Sequence, residues 1–361
     1  MKKNKKVGVL MSGGIDSSFA ALYLKEKGFD VFGITFLQIG KKAQKKEIER
    51  VKKIAKELKI NYFLFDIKKM FKEKIIDPFV FGYQRGITPS PCPFCNKEIK
   101  FNFLLKKARK AGADYIATGH YVRRKEITAD NLRLTTYELL RAKDKKKDQS
   151  YFLWQLTQKE LRYTLFPLGD FKKEEVIKKL KKSKIGKFFK ENDYNESQDI
   201  CFLKNKDSKK FLKEKVKKRR GGPILDKNGE KIGEHEGICF FTIGQRSGIK
   251  IGAKSPNQKP LYVIDIKAEK NAIVVGEEKD LYKKELFAKN INWISGKAPK
   301  LPINVQAKIR SRAKLAFATI KKYSKNTLKI EFKKPQRAIT PGQHIVFYQK
   351  DILLGGGVIE R

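Results

Sequence analysis

Histidine is scarce, with three in 361 residues. A metal centre built from imidazoles alone would consume all of them. Cysteine is also scarce, with four, and so few in so long a chain do not make a disulfide framework. No apolar run approaches the ~20 residues that a membrane helix needs. The start of the chain has the basic head of a secretion signal. Its apolar stretch is only Val7–Met11 and stops at Ser12-Gly13-Gly14, too short for the central region of such a signal. A soluble, cytoplasmic protein with no membrane partner is therefore expected. No internal repeat at a period of roughly 20–50 residues is evident.

Acidic residues are the largest shortage. There are 39 Asp and Glu against 83 Lys and Arg, a formal net charge of +44. A chain this basic repels itself unless an anion neutralises it, and the commonest large anion in a cell is nucleic acid. Lys far exceeds Arg, so part of the excess is compositional. Lysines such as Lys178, Lys179, Lys181 and Lys182 read as a solvated helix face. With 40% hydrophobic and 11% aromatic residues, the chain still has enough apolar surface to build real cores.

What is present has a clear order. Lys6–Met11 is a short apolar run of the kind that forms a buried parallel strand. Asp16–Lys27 has helical spacing and ends at Gly28. Asp30–Phe36 reads as a strand, Lys45–Leu58 as an amphipathic helix and Asn61–Ile67 as a third strand, with a helix to about Gly82. Ile99–Ala111 is helical and Asp114–Thr118 is a strand. Alternation of this kind means βαβ units around a parallel sheet. Tyr121–Ala142 reads as a hairpin about Asp130-Asn131, and helical spacing returns at Gln149–Leu161 and Lys172–Lys182. A Lys-rich helix, Lys209–Lys218, leads into short strands broken by glycines. From about Asp280 the pattern is all-β, at Val305–Ile309, Ala316–Lys321, Thr327–Phe332, Ile345–Tyr348 and Ile352–Ile359, which suggests a small barrel or sandwich.

The sharpest local signal is Ser12-Gly13-Gly14-Ile15-Asp16-Ser17-Ser18, placed where the first strand stops and the first helix starts. Two glycines allow a tight turn and close approach to an anion. Ser17 and Ser18 lie in a first helical turn, whose free N–H groups and dipole favour phosphate. Neither the P-loop pattern GxxxxGK[ST] nor the dinucleotide pattern GxGxxG is present there. The plainer reading is an ordinary Gly-Gly turn with a helix cap, but ligands of α/β sheets bind at the carboxyl ends of strands. The loop resembles the pyrophosphate loop of the N-type ATP pyrophosphatases, which cleave ATP to AMP and pyrophosphate to activate an oxygen.

Seven further stretches narrow the resemblance. CNKEIKF (Cys95–Phe101), GADYIATGHY (Gly112–Tyr121), KDQSYFLW (Lys147–Trp154), DICF (Asp199–Phe202), TIGQR (Thr242–Arg246), TPGQ (Thr340–Gln343) and LGGGVIE (Leu354–Glu360) are similar, in order, to the tRNA-specific 2-thiouridylase family. The resemblance implies an α/β protein of three parts. These are an N-terminal parallel-sheet ATP-pyrophosphatase domain of the adenine nucleotide alpha hydrolase type over 1–204, a small central domain over 205–278 and a C-terminal, tRNA-contacting β-barrel over 279–361. The implied reaction is ATP-dependent conversion of the wobble uridine (position 34) of tRNA to 2-thiouridine, with AMP and pyrophosphate as products. Two alternatives stand beside it: another ATP-pyrophosphatase RNA thiolase, or a tRNA-binding relative without catalysis.

The implied site follows residue by residue. Leu10, Met11, Ser12, Gly13, Gly14, Ile15, Asp16, Ser17, Ser18, Phe36 and Gly119 would hold ATP, with Asp16 on a Mg²⁺ ion that bridges the phosphates. Cys95 would be the nucleophile and Cys201 the carrier of a persulfide received from a cysteine desulfurase or relay protein. A Cys95–Cys201 disulfide would be left after transfer. The chain departs from the family's commonest pattern at Cys92, where many members carry Asp. Cys92, Cys95 and Cys201 could instead ligate a four-iron–four-sulfur cluster, so both sulfur-delivery schemes stay open. Ser90, Pro91, Cys92, His120, Lys147, Asp148, Gln149, Arg310, Ser311 and Gln343 match tRNA-contacting positions. Each has a plainer reading: a structural hydrogen bond for His120, a solvated charge run for Lys143–Asp148. Cys239, within an apolar run, reads as a buried core thiol. A monomer is expected.

Overall fold

The computed structural model describes residues 4–40, 42–129, 134–194, 200–203, 207–217, 220–249 and 259–360. Strand β1 (Lys6–Leu10) stands at the centre of a five-stranded parallel sheet. Strands β2 (Asp30–Leu37) and β3 (Tyr62–Asp66) lie on one side of it, and β4 (Tyr115–Ala117) and the short Thr164–Leu165 on the other. Val7 and Val9 of β1 are fully buried, as a strand covered on both faces must be. Helix α1 (Ile15–Glu26) and helix α2 (Lys45–Leu58) supply two of the crossovers. In α2 the apolar positions Val51, Ile54, Ala55 and Leu58 are buried, so its 3.6-residue period faces the sheet. The order reverses between β1 and β4. That makes a crevice at their carboxyl ends, the usual ligand site of an open α/β sheet.

The chain between β3 and β4 is helical. Lys68–Phe71, a wider-turned Lys72–Ile76 and Asp77–Gln84 follow one another. A second helical run starts at Pro91–Cys95, widens to π turns over Asn96–Leu104 and closes at Leu105–Lys110. It begins eight residues earlier than the spacing over Ile99–Ala111 suggests, because Pro91 and Pro93 lie in the first turn, where a missing N–H costs nothing. The helical spacing at Gln149–Leu161 is realised as two short pieces, a 3₁₀ turn Ser150–Leu153 and a helix Gln158–Arg162. The run between them buries Trp154 and Leu156.

A four-stranded sheet follows, its strands Gly222–Leu225, Lys231–His235, Tyr262–Lys267 and Ala272–Gly276. Cys239 is buried beside it, in a 3₁₀ turn (Ile238–Phe240). The C-terminal part is a six-stranded antiparallel barrel. Its strands are Tyr282–Trp293, Ile303–Lys308, Ala316–Lys322, Leu328–Arg337, His344–Gln349 and Ile352–Ile359, and pairing of the first with the last closes it. The strand Tyr282–Trp293 was not expected from sequence. Its lysines and glutamate mask the alternation, and its register shifts between Lys283 and Glu285.

A strand pairing joins the first part to the barrel. The hairpin Val122–Ala129 and Leu134–Arg141 pairs onto the outside of the barrel, Leu139 opposite Leu353 and Leu140 opposite Ile352. Asp351 fixes this seam, at 2.9 Å from Arg123 and 2.7 Å from Lys145. The hairpin turn at Asp130-Asn131, Asp199 at the start of the DICF stretch and the boundary expected at 204/205 lie outside the described residues.

Candidate active site

The Ser12–Ser18 loop sits at the carboxyl end of β1, on the crevice. Its shape comes from its own short side chains. The Ser12 N–H donates to Ser17 Oγ at 3.2 Å, and the Ser17 and Ser18 hydroxyls donate back to the Gly14 carbonyl at 3.1 and 2.8 Å. Gly13 has a φ of +81°, and a Cβ there would lie 2.7 Å from the Glu47 carbonyl oxygen, so only glycine fits. Arg50 of α2 donates to the Gly13 carbonyl at 3.2 Å and pairs with Asp193 at 2.8 Å. The first turn of α1, with the amides a helix cannot bond internally, therefore faces the crevice on a braced loop. Leu10 and Met11 are buried strand-end residues behind it, the Met11 carbonyl accepting the Thr35 hydroxyl at 3.1 Å. Phe36 is half-buried at the end of β2.

Gly119 closes the other side. A Cβ on it would lie 2.7 Å from the Ser17 amide nitrogen and 2.8 Å from the Asp16 carbonyl carbon. Its bareness lets the end of β4 pack directly on the loop. Asp16 has two partners on one oxygen: the Tyr121 hydroxyl donates to Oδ1 at 2.8 Å and Lys173 Nζ at 2.7 Å. Lys173 is only 8% exposed. The carboxylate expected on Mg²⁺ is thus held by a buried cation, which reduces its freedom to take a metal ion and leaves the loop less repulsive to polyphosphate. Sequence reasoning missed Lys173 and Tyr121, which lie 157 and 105 residues away from Asp16.

The three candidate reactive thiols are brought into one neighbourhood. Cys92 and Cys95 lie on the first turn of the helix after Ser90 and are half-buried; Cys201 is exposed and all three are free. Burial pushes the Cys92 thiol up to about 11, with the nearby Cys201 adding to the shift. Burial likewise takes Cys95 up to about 12, opposed by Lys100, with Cys201 and Cys92 adding to the rise. Desolvation of its sulfur raises Cys201 too, opposed by Lys100 and a hydrogen bond from Gln38. Each of the three senses the charge of Lys100. This lysine stands five residues after Cys95, within the π-widened turns Asn96–Leu104. Among the described residues, the Lys100 side chain makes no hydrogen bond or ion pair, although its backbone carbonyl accepts the Leu105 amide. Lys100 lies inside the CNKEIKF stretch, but nothing in the spacing singled it out. His120 adjoins the same group. Burial, reinforced by Lys100, holds it well below the usual imidazole range, and its Nδ1 is 2.8 Å from the Thr118 hydroxyl. His120 is therefore neutral at physiological pH.

Among the described residues, no group of three or more His, Cys, Asp or Glu side chains is arranged to hold a metal ion. Cys92, Cys95 and Cys201 have the right chemistry for an iron–sulfur cluster, but as placed they do not form a ligand set.

The other sequence-derived positions divide. Ser90 and Pro91 lie directly before Cys92, Ser90 half-buried and Pro91 buried. Asp148 is internal: its side chain is 1% exposed and accepts from the Ala142 amide, the Ser150 hydroxyl and Arg141. Gln149 accepts the Tyr121 amide at 3.0 Å. Asp144 organises the start of the same loop, taking the Lys146 amide at 3.0 Å. The run Lys143–Asp148 is thus a loop braced by its aspartates, with Lys147 half-buried and Lys143, Lys145 and Lys146 exposed to solvent. Arg310 and Gln343 are hydrogen-bonded inside the protein, and Ser311 follows Arg310 on the barrel with its surface partly open.

Comparison with known proteins gives three consecutive matches along the chain. Residues 5–205 match a tRNA methyl transferase HUP domain, 209–277 a tRNA methyl transferase PRC-barrel domain and 283–359 an aminomethyltransferase beta-barrel domain. Full-length relatives carry a different name for the activity. The tRNA-specific 2-thiouridylase MnmA 1 of Caldanaerobacter subterraneus subsp. tengcongensis is 44% identical over 100% of this chain and 99% of its own. MnmA 2 of Thermoanaerobacter sp. (strain X514) is 43% identical over the same shares, and MnmA of Clostridioides difficile (strain 630) is 42% identical. A solved U34-tRNA thiolase NcsA from Methanococcus maripaludis with its [4Fe-4S] cluster overlaps 59% of this chain at a TM-score of 0.35 and 19% identity; that likeness decides nothing about the cysteines. With a parallel-sheet domain bearing the phosphate loop, a second small sheet, a closed barrel and full-length identity above 40%, this chain belongs to the tRNA-specific 2-thiouridylase family.

Proposed function

We propose that the protein is an ATP-dependent tRNA-uridine 2-sulfurtransferase acting on the wobble uridine. The observation that carries this reading is the convergence of three thiols on Lys100 and His120, next to the crevice that bears the Ser12–Ser18 loop. An ATP pyrophosphatase that only joins carbon, nitrogen and oxygen has no use for such thiols.

The C2 oxygen of uracil is a poor leaving group. ATP held at Ser12–Ser18, with Mg²⁺ on its phosphates, transfers its adenylyl group to that oxygen and releases pyrophosphate. The terminal sulfur of a Cys201 persulfide then attacks C2, and AMP departs with the oxygen. Cys95, as thiolate, attacks the Cys201 sulfur. The S–S bond breaks, its electron pair goes to the sulfur now on the base, and a Cys95–Cys201 disulfide forms for an external dithiol to reduce. The raised thiols keep Cys92 and Cys95 protonated until that step, which limits wasteful oxidation. Lys100 supplies the positive charge that favours each anionic sulfur in turn. A cysteine desulfurase or relay protein would load Cys201, the exposed thiol of the three. The base must leave its stack to reach the pocket.

In a second scheme Cys92, Cys95 and Cys201 would hold a four-iron–four-sulfur cluster after moving together from the positions described above, and the cluster would supply hydrosulfide. Incubation of the protein with ATP, a persulfide donor and bulk tRNA, followed by nucleoside mass spectrometry, tests the function; absence of 2-thiouridine overturns it. The schemes separate with Cys92→Ser. Activity retained by that variant, in protein free of iron and acid-labile sulfide, supports the persulfide route. Loss of both activity and iron supports the cluster.

A further inference from the structure

The helix that carries Cys92 and Cys95 starts without a cap of its own. Ser90 occupies the cap position, yet its side chain makes no capping hydrogen bond. The segment before it is instead gripped by a turn of the distant barrel. Gln343 Nε2 donates to the Thr88 carbonyl at 2.9 Å, and His344 Nε2 donates to the Ser90 carbonyl at 3.0 Å. The Thr88 amide donates to the Pro341 carbonyl at 3.1 Å. Gly342, at φ +86°, lies so close that a Cβ would be 2.2 Å from the Ile87 side chain. The His344 ring also sits 5.3 Å from that of Phe94, between the two cysteines. Burial holds His344 near 4, so it is neutral and its proton is on the nitrogen facing Ser90.

The turn is itself braced. Arg310 donates to the Ala338 carbonyl and, at 3.4 Å, to the Thr340 hydroxyl. The Thr88 hydroxyl meets that of Thr242, from the four-stranded part, at 3.1 Å. Thr88 is thus a point where all three parts of the molecule touch, three residues before the cysteine helix begins.

We propose that Gln343 is a positioning residue: the barrel turn Pro341–His344, through Gln343 on Thr88 and His344 on Ser90, sets the start of the helix that presents Cys92 and Cys95. One N–H of its amide is committed to Thr88. The consequence for turnover rests on the sulfurtransferase reading, whereas the positioning itself does not.

The test is the rate of iodoacetamide labelling of each cysteine in the full chain, read by peptide mass spectrometry without tRNA. In Gln343→Ala, Cys92 and Cys95 should label about two- to tenfold faster, the range covered by one neutral hydrogen bond. Cys239, buried in another part, should label at the parental rate, which separates local release from general unfolding. Gln343→Glu has the same shape but no N–H to donate, so it should match Gln343→Ala. In turnover, kcat should fall with the KM for tRNA unchanged. Parental labelling of Cys92 and Cys95 in both variants overturns the proposal. So does a raised KM for tRNA with kcat intact, the mark of a direct RNA contact. If neither parent nor variant thiolates tRNA, the labelling result still decides the positioning, and only the function fails.

Discussion

Gly119→Ala should damage the protein through packing alone. The new methyl would lie 2.7 Å from the Ser17 nitrogen and 2.8 Å from the Asp16 carbonyl carbon, both backbone atoms that cannot swing aside. To reach ordinary contact at 3.4 Å, the end of β4 and the first turn of α1 must part by about 0.7 Å. Overpacking of this kind costs about 1–3 kcal/mol, or roughly 2–12 °C in the melting of a domain of about 150–250 residues. The same displacement moves the loop that would hold the triphosphate, so kcat/KM for ATP should fall roughly tenfold to a hundredfold. Gly14→Ala is the control. Gly14 has φ −82° and ψ 165°, open to any residue, and a Cβ would meet only Ser12 Oγ at 3.4 Å. Its stability should stay within about 0.5 kcal/mol of the parent. Differential scanning fluorimetry and pyrophosphate release measure both effects. If Gly119→Ala melts with the parent and keeps its KM for ATP, the close approach of β4 to α1 does not constrain the loop.

Three other outcomes can be checked. Because Cys92 and Cys95 are raised to about 11 and 12, their thiolates are scarce at neutral pH, so alkylation should climb about tenfold per pH unit from about pH 7 to 10; a plateau near pH 8–9 would mean ordinary exposed thiols. Asp16→Asn and Lys173→Met should be non-additive in stability, with a coupling of about 1.5–3 kcal/mol for a charge-assisted bond at 2.7 Å, and simple additivity in a double-mutant cycle would show the pair to be incidental. Affinity for tRNA should drop with salt, log K falling by about 0.7–0.9 per neutralised phosphate for each tenfold rise; filter binding that ignores salt would contradict an electrostatic RNA surface.

The contrast between Gly13 and Gln343 shows how far linear pattern carries. Gly13 follows an apolar strand and precedes a helix within seven residues, so a phosphate-type turn could be read from neighbours alone. Gln343 was legible only as part of a matching stretch, and the RNA contact it suggested competes with a bond to Thr88, 255 residues away. Asp148 is similar: a charged residue in a lysine run proves to be an almost fully buried acceptor. Lys100 lay in plain view within CNKEIKF, yet its electrostatic reach to three thiols comes with a π-widened helix that no periodicity announced.

Linear pattern was enough for the alternating strands and helices, the glycine loop after the first strand, the all-β character of the last part and the poverty in acids. These are set by side-chain period, by glycine's backbone freedom and by composition, all of which act between near neighbours. Nothing in that pattern foretells that Lys173 neutralises Asp16, that the Val122–Arg141 hairpin joins the barrel, or that a barrel turn grips the cysteine helix. Such pairings are chosen by burial and hydrogen-bond satisfaction across hundreds of residues, where many partners are chemically equivalent until the fold brings one within reach.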